Sequence, residues 1–289
     1  MSDLVSVIIP AYNHEKYVQK SILSVVNQTY QNIELIIIDD GSTDSTAEKI
    51  MELEDICKKR FVNFEFHRQD NKGLSNTLNS FLKLAKGTYI IGTASDDVFK
   101  PNIVETLYSF LHCHDEYVMA VGDSEIIDAN SSKISWGRHR IVLPYNDPNG
   151  FNTFKKFFGR TKDFSDDGFG TLKSLEKGNY IPNGQLIRKL AIDQVGGYNP
   201  DFLLEDYYMN LQLAKIGKLK FIDQILFSYR WHSSNTVQNL TKFLQIRHKV
   251  RMWMPGTRGR VIIGSVALRE SGYIFTGLSI ATEIPSIFF

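Results

Sequence analysis

Two adjacent carboxylates, Asp96 and Asp97, follow the strand-like run Tyr89-Ile90-Ile91 through the small residues Gly92 to Ser95. Like charges side by side repel and resist desolvation, so such a pair either stays in water or is held together by a cation and its other ligands. A hard divalent ion bridging these carboxylates and a diphosphate is one chemistry that fits. Taken alone, the pair suits an exposed turn that caps the next helix at least as well, with Pro101 at a first-turn position. Other groups shift that balance. Asp39-Asp40-Gly41-Ser42 ends a second apolar run, Ile33 to Ile38. Glu205-Asp206 opens a helical stretch carrying Met209, Leu211, Leu213 and Ile216 and stopped by Gly217; acids there also suit the helix macrodipole. Arg230 and His232 flank Trp231, so in an extended segment both face one side and could meet phosphate or metal together. A lone histidine is also commonly a satisfied structural residue.

The elements that must position these groups alternate regularly. Val5 to Pro10 is an almost continuous β-branched run of the kind buried on both faces of a parallel sheet. Glu15 to Gln28 places Val18, Ile22 and Val25 at helical spacing, a first crossover. After Ile33 to Ile38, Ser45 and Glu48 form a capping-box pattern for the next helix. Phe61 to Phe66 alternates as a strand, and Asn71-Lys72-Gly73 opens a helix carrying Leu74, Leu78, Phe81, Leu82 and Ala85. The pattern predicts an α/β fold: a Rossmann-like, mostly parallel, right-handed doubly wound sheet flanked by helices, with ligands beyond the carboxyl ends of its strands. Asp39, Asp40, Asp96 and Asp97 all fall at such ends. Common phosphate-binding motifs are missing, because Lys173 stands where a third glycine would follow Gly168 and Gly170, and Thr93 replaces the lysine of a phosphate loop.

Further along, Val118 to Val121 reads as a short strand, and Asp128 to Lys177 as long loops with short helices. Phe151, Phe154, Phe157 and Phe158 suit a small amphipathic helix packed on the core better than a sugar platform. Leu219 to Ile222 and Ile225 to Tyr229 read as two short strands. The organisation expected is two halves, over residues 1–122 and 123–239, and a basic, apolar C-terminal tail over 240–289.

With 289 residues and 43% hydrophobic content the chain can bury a substantial core. Lysine plus arginine number 33 against 32 acids, a balance that argues against a nucleic-acid partner. Cys57 and Cys113 offer no CxxC and imply neither a disulfide framework nor a zinc site. The first strand starts within a few residues of Met1, leaving no room for a secretory leader, so a cytoplasmic location is expected. From Gln224 to Arg269 there is no acid, while eight basic residues stand among Phe243, Trp253 and several aliphatics. That composition suits either peripheral contact with an anionic membrane face or an ordinary solvated helix face. Val261 to Phe289 is apolar, but Arg269, Glu270 and Glu283 argue against a clean span.

In order and spacing, VSVIIPAYN, QTYQNIELIIIDDGSTDST, NKGLSNTLN, ASDD, FLLEDYYMNLQLAKIGK and YRWHSSN together resemble the family 2 glycosyltransferases of the GT-A fold, which use nucleotide-diphospho-sugars. The likeness covers roughly Val5 to Asn235 and implies a nucleotide-sugar donor-binding half over residues 1–122 and an acceptor-binding and catalytic half over 123–239. It implies that Pro10, Ala11 and Tyr12 form the first nucleotide-contacting loop, that Asp39 meets the base and Asp96 the ribose, and that Asp97 ligates Mg or Mn. Asp206 corresponds to the catalytic base, with Glu205 and Arg230 in the diphosphate or acceptor neighbourhood. His232 lies where some members place a residue near metal or diphosphate. Ala94 departs from the pattern, since many members carry another acid there.

The implied chemistry agrees with the residue types. A sugar hydroxyl is a poor nucleophile at neutral pH, so a carboxylate must take its proton as it attacks the anomeric carbon. The departing nucleoside diphosphate gathers negative charge that a metal and a basic segment can stabilise. Direct displacement inverts the anomeric centre and needs no covalent intermediate. The partners implied are a nucleotide-diphospho-sugar, with uridine expected as its base, and a glycan or lipid-linked acceptor in surface polysaccharide synthesis. Two alternatives stand beside this reading: a metal-dependent nucleotidyltransferase, which would release pyrophosphate, and a non-catalytic nucleotide-sugar-binding protein, which Ala94 favours and the intact Glu205-Asp206 pair opposes.

Overall fold

A computed structural model describes residues 2–202 and 204–235 of the chain. In chain order these residues form β1 (Val5–Ala11), α1 (Val18–Val26), β2 (Ile33–Asp40), α2 (Thr46–Met51), α3 (Glu54–Arg60), β3 (Asn63–Gln69), α4 (Leu74–Leu84) and β4 (Tyr89–Gly92). Then come β5 (Val98–Phe99), α5 (Ile103–His112), β6 (Tyr117–Ile127), β7 (Lys133–Trp136) and β8 (Val142–Pro144). The last are α6 (Phe154–Phe158), α7 (Leu172–Leu175), β9 (Leu186–Arg188), α8 (Lys189–Gln194), α9 (Glu205–Ile216) and β10 (Lys218–Arg230).

The strands join in the order β3-β2-β1-β4-β9-β6-β10-β5. β3, β2, β1 and β4 pair in parallel. β9 is antiparallel to both β4 and β6, so β6 and its parallel partner β10 run the same way as β4. The expected mostly parallel sheet is present, with β9 as an antiparallel wedge and β5 as an antiparallel edge. β6 crosses the expected boundary at residue 122, so the two halves share one sheet. The tail over residues 240–289, with its membrane-facing expectation, lies outside the described residues.

Alternation along the buried strands supplies both faces. Val5, Val7 and Ile9 point to a layer with Val18, Ile22 and Val25 of α1 and Leu107 and Leu111 of α5. Ile8, Ile36 and Ile38 point the opposite way, to Phe81 of α4, Ile192 of α8 and Met209 and Leu213 of α9. A period of two on strands and about 3.6 on helices thus builds a three-layer sandwich that holds the strand ends rigid.

Several local expectations change. Ser45 precedes α2 without a side-chain cap. Asp44 takes that role, accepting from Thr46 N and Glu15 N, while Glu15 accepts from Ser45 N. Pro101 lies before the N-cap Asn102 and so outside the first turn of α5, where it was expected. The two short strands expected after Lys218 are one strand interrupted by register shifts around Ile225. The region expected to lack strands contains the β7–β8 hairpin, which extends β6 and packs Trp136 against Phe154 and Phe157 of α6. The phenylalanines therefore serve packing, as their spacing suggests.

Candidate active site

The loops after β1 and β2 are tied together. Ala11 pairs in register with Asp39. Asn13 N donates to Ser42 Oγ at 2.9 Å, Thr43 N donates to Asn13 Oδ1 at 2.8 Å, and His14 N donates to Thr46 Oγ1 at 2.8 Å. Gly41 has φ +77°, and a Cβ there would lie 2.8 Å from Asn71 N, so this turn needs glycine. Tyr12 is exposed, as a ligand-facing side chain at a strand end can be.

The two acids after β2 divide their work. Asp40 accepts from Lys72 N and Gly73 N at 3.0 Å each, and so anchors the start of α4. Asp39 Oδ1 accepts from Ser42 N at 3.1 Å and from the Ser42 hydroxyl. Its Oδ2 is buried without a hydrogen-bond partner; Arg68 Nε lies 3.2 Å away as an ion pair, off hydrogen-bond geometry. A buried acceptor left unsatisfied costs about 1–3 kcal/mol, which a donor on a ligand base would recover.

Asp96, Asp97, Arg230 and His232 come together across the end of the sheet. Arg230 N donates to Asp97 Oδ1 at 2.7 Å, and its Nε donates to the Asp96 carbonyl at 2.6 Å. Its Nη1 reaches the Asp128 carbonyl at 3.0 Å and Ser131 Oγ at 2.9 Å, and the guanidinium lies over Tyr17. Nη2 is buried with no partner, an orphaned cationic donor at the site. His232 Nε2 lies 2.9 Å from Asp96 Oδ2, and His14 Nε2 lies 3.7 Å from the same oxygen. Ser95 Oγ holds His14 Nδ1 at 2.8 Å.

The neighbouring carboxyls are driven apart in acidity. Burial pushes Asp96 up, but the hydrogen bond from His232 and the charge of His14 outweigh it and leave Asp96 below the usual carboxylate range. Asp97 is held well above that range by burial and then by Asp96, against the pull of Arg230 N and Asn183. Burial also lowers His14, opposed by Asp96.

One ligand atom each from His14, Asp96 and His232 lies within 4.8 Å of the others. Two imidazoles with one carboxylate suit Mn or a related transition ion better than Mg, which prefers an all-oxygen shell. The donor set present therefore fits a divalent cation. Asp97, to which the resemblance assigns the metal, stands beside this group.

The second acidic pair opens α9 and keeps a partial opening to solvent. Asn179 Nδ2 donates to Asp206 Oδ2 at 2.8 Å, and Asn210 Nδ2 lies 3.4 Å from Asn179 Oδ1. Burial raises Asp206, against hydrogen bonds from Tyr207 N and Asn179. Burial and then the charge of Asp206 push Glu205 up to about 8. From the same loop Asn183 Nδ2 reaches Asp97 Oδ2 at 3.4 Å. Gly184, at φ +76° against Phe227, turns that loop back into β9. The phenol of Tyr229 is raised first by burial and then by Asp97, with smaller contributions from Asp96 and Asp206, so both pairs act on one buried group.

Sequence reasoning missed His14, Asn179 and Asn183. His14 directly follows the first loop, and that adjacency is the only local signal for it. The two asparagines sit in a segment whose sequence shows order but no chemistry.

A mostly parallel three-layer sheet with its acids gathered at the strand ends is the GT-A architecture, and solved members of that class superpose on this chain. A mannosyltransferase from Pyrobaculum calidifontis, solved with GDP-Man and Mn2+, aligns with TM-score 0.60 at 14% identity over 87% of this chain and 65% of its own. S. aureus TarS 1-349, solved with UDP, aligns with TM-score 0.56 at 16% identity over 87% of this chain and 66% of its own. The family model for glycosyl transferase family 2 matches residues 6–178, more than half of the chain, and the chain belongs to that family. Among curated relatives, the glycosyltransferase GlyA of Streptococcus pneumoniae serotype 4 is 39% identical over 80% of this chain and 31% of its own length. An uncharacterized glycosyltransferase of Haemophilus influenzae is 29% identical over 81% of this chain and 67% of its own. An Escherichia coli chondroitin synthase is 29% identical over 81% of this chain and 30% of its own. The chain thus spans about a third of GlyA and of the chondroitin synthase. Among the described residues no helix is long and apolar enough to cross a membrane.

Proposed function

We propose that the chain transfers a sugar, with inversion, from a uridine-diphosphate sugar to a hydroxyl of a glycan or glycolipid acceptor in surface polysaccharide synthesis. The observation that carries this reading is the loop from Asn179 to Asn183, which touches Asp206 at one end and Asp97 at the other. One short loop thereby fixes a proton acceptor relative to the acids at the donor end of the sheet. Family membership favours sugar transfer over nucleotidyl transfer, and the UDP complex of TarS and the name of the chondroitin synthase support the donor and a polysaccharide product.

Each residue has a role that its environment supports. Pro10, Ala11 and Tyr12 line the nucleotide side of β1, and Asp39 Oδ2 accepts the imide hydrogen of uracil, which cytosine lacks. His14, Asp96 and His232 would hold the divalent cation, with Asp97 beside them. When bound, that cation supplies positive charge opposite the leaving diphosphate. Arg230 Nη2 is a further donor available to the diphosphate. Asp206 takes the proton of the acceptor hydroxyl, and its raised proton affinity brings it closer to the working pH of a general base. The basic and aromatic composition of the tail from Lys242 to Arg269 supports contact with the inner face of a membrane.

The test is a screen of nucleotide sugars for metal-dependent hydrolysis or transfer. The reading expects release of UDP and a β-linked product from an α-linked donor. Release of pyrophosphate would point to nucleotidyl transfer, and a retained anomer would exclude direct displacement.

A further inference from the structure

Beside the donor end of the sheet, Arg140 and Arg160 stack on one aromatic cluster, and Arg138 stands in the same short turn as Arg140. The guanidinium of Arg140 lies 4.8 Å from the Trp136 ring centre and 5.9 Å from those of Phe157, Phe158 and Trp231. That of Arg160 stacks over Phe151 at 4.4 Å and Phe157 at 4.7 Å. Phe157 is common to both. The charge of Arg138 also reaches Arg160 and, after burial, lowers its proton affinity.

Arg68 and Arg188 pair with carboxylates, whereas Arg138, Arg140 and Arg160 have no ion-pair partner among the described residues. Nε of Arg140 is buried without a hydrogen-bond partner. His139 and Arg140 both occupy the left-handed region, at φ +59° and +58°, so the turn that delivers Arg140 to the cluster is strained. Stacking engages the flat face of a guanidinium; Arg160 Nε donates to the Phe157 carbonyl at 2.8 Å, and the terminal N–H groups are left for a planar or tetrahedral anion. Gathering like charges without counter-charges is unfavourable in the protein alone and becomes favourable once an anion joins them.

The position suits an acceptor. Trp231, between Arg230 and His232, meets Trp136 edge to face at 5.1 Å between ring centres, and Tyr229 lies 5.9 Å from the same ring. On the other side of Arg160 a cavity of about 970 Å³ opens, lined also by Tyr145, Lys156 and Lys162. Three acids border it: Asp223 pairs with Lys155, Asp123 accepts from Lys155 N and Ser124 N, and the exposed Asp163 accepts from Ser165 N, against the four bases Lys155, Lys156, Arg160 and Lys162.

We propose that Arg138, Arg140 and Arg160 form a subsite for an anionic glycan, one that carries carboxylate or phosphodiester groups along its chain. Calling that glycan the acceptor rests on the glycosyl-transfer reading; the binding site itself does not.

The full chain would be titrated, without donor, against three probes: a glucuronate-containing oligosaccharide, a glycerol-phosphate oligomer and a neutral N-acetylglucosamine oligosaccharide of equal length. The proposal expects one or both anionic probes to bind about tenfold or more tighter than the neutral one, as charged hydrogen bonds allow. That preference should shrink with salt over a Debye length of about 8 Å. R138Q/R160Q alters two exposed side chains. It should erase the preference while thermal melting and UDP binding stay unchanged, and R140Q should do the same wherever melting shows it folded. Equal affinity for charged and neutral probes, or a preference that survives R138Q/R160Q, would overturn the proposal. So would binding to phosphatidylglycerol vesicles through these arginines with neither anionic oligomer bound. UDP binding by calorimetry separates the two readings, since it reports the donor site whatever the glycan result.

Discussion

Asp96-Asp97 and Glu205-Asp206 are made of nearly the same residues and reach different states. At the end of β4 two imidazoles and the Arg230 clamp surround the acids, and the pair splits, with Asp96 lowered and Asp97 raised. At the start of α9 neither acid has an ion-pair partner among the described residues, and burial raises both. Position at an element end is common to the two pairs, so position does not decide their chemistry. The presence of cationic or ligating neighbours does. A lowered carboxylate between two histidines is equipped to hold a cation, and a raised one beside an amide is equipped to take a proton.

The strongest way to break this contrast is Asp206→Asn, which keeps size and much of the hydrogen bonding but cannot accept a proton. Transfer should fall about a hundredfold or more while donor binding survives in calorimetry. Glu205→Gln should cost less, because Asn179 holds Asp206 and not Glu205. Near-normal transfer by Asp206→Asn would remove the proton-taking role from the second pair.

The first pair is tested by exchanging roles inside it. Asp96→Ala and His14→Ala should each weaken Mn2+ binding, measured by electron paramagnetic resonance, by about tenfold or more. Asp97→Ala should have a smaller effect, because Arg230 N and Asn183 already occupy its oxygens. If Asp97→Ala abolished binding and Asp96→Ala spared it, the metal would belong to Asp97, as the family resemblance implies.

How much of this was legible depends on the range of the signal. Buried β-branched runs and their helical crossovers are local, and β1, β2 and β4 appear where the pattern puts them, while β3 starts at Asn63 and runs on to Gln69, later than the Phe61 to Phe66 expected. Asp39, Asp96, Asp97 and Asp206 were legible as acids at element ends that match family stretches. Asp40 looks the same as Asp39 in sequence, yet folding turns it into the anchor of Lys72 N and Gly73 N. The antiparallel wedge β9 was not legible, because three residues carry no period and their place depends on β4 and β6 flanking them. His14, Asn179 and Asn183 gain meaning only through residues far away in the chain, Asp96, Asp206 and Asp97 respectively. No window of sequence contains those meetings.

The smallest expected effect concerns stability and sharpens the contrast through its sign. Glu205 has a folded pKa of about 8 against an ordinary value of 4.5, so between those values the folded state binds its proton more tightly than the unfolded chain does. Its contribution to stability is full below about pH 4.5 and is lost as pH rises towards 8. Asp96 runs the opposite way, since its lowered pKa contributes above the ordinary value of 3.8 and is lost only as pH falls through the folded value. Glu205→Gln removes the first dependence and leaves the second. Because the carboxyl keeps a partial opening to solvent, its share is discounted to about 1 kcal/mol, or a gain of about 2–4 °C in melting temperature at pH 8. At pH 4.5 the variant and the parent should melt together. Asp97 and Asp206 are raised as well, so the informative quantity is the difference between the two melting curves, which cancels them. A difference that stayed flat from pH 4.5 to 8 would mean that Glu205 is no more costly to ionise in the folded protein than in water. The second pair would then lose the property that sets it apart from the first.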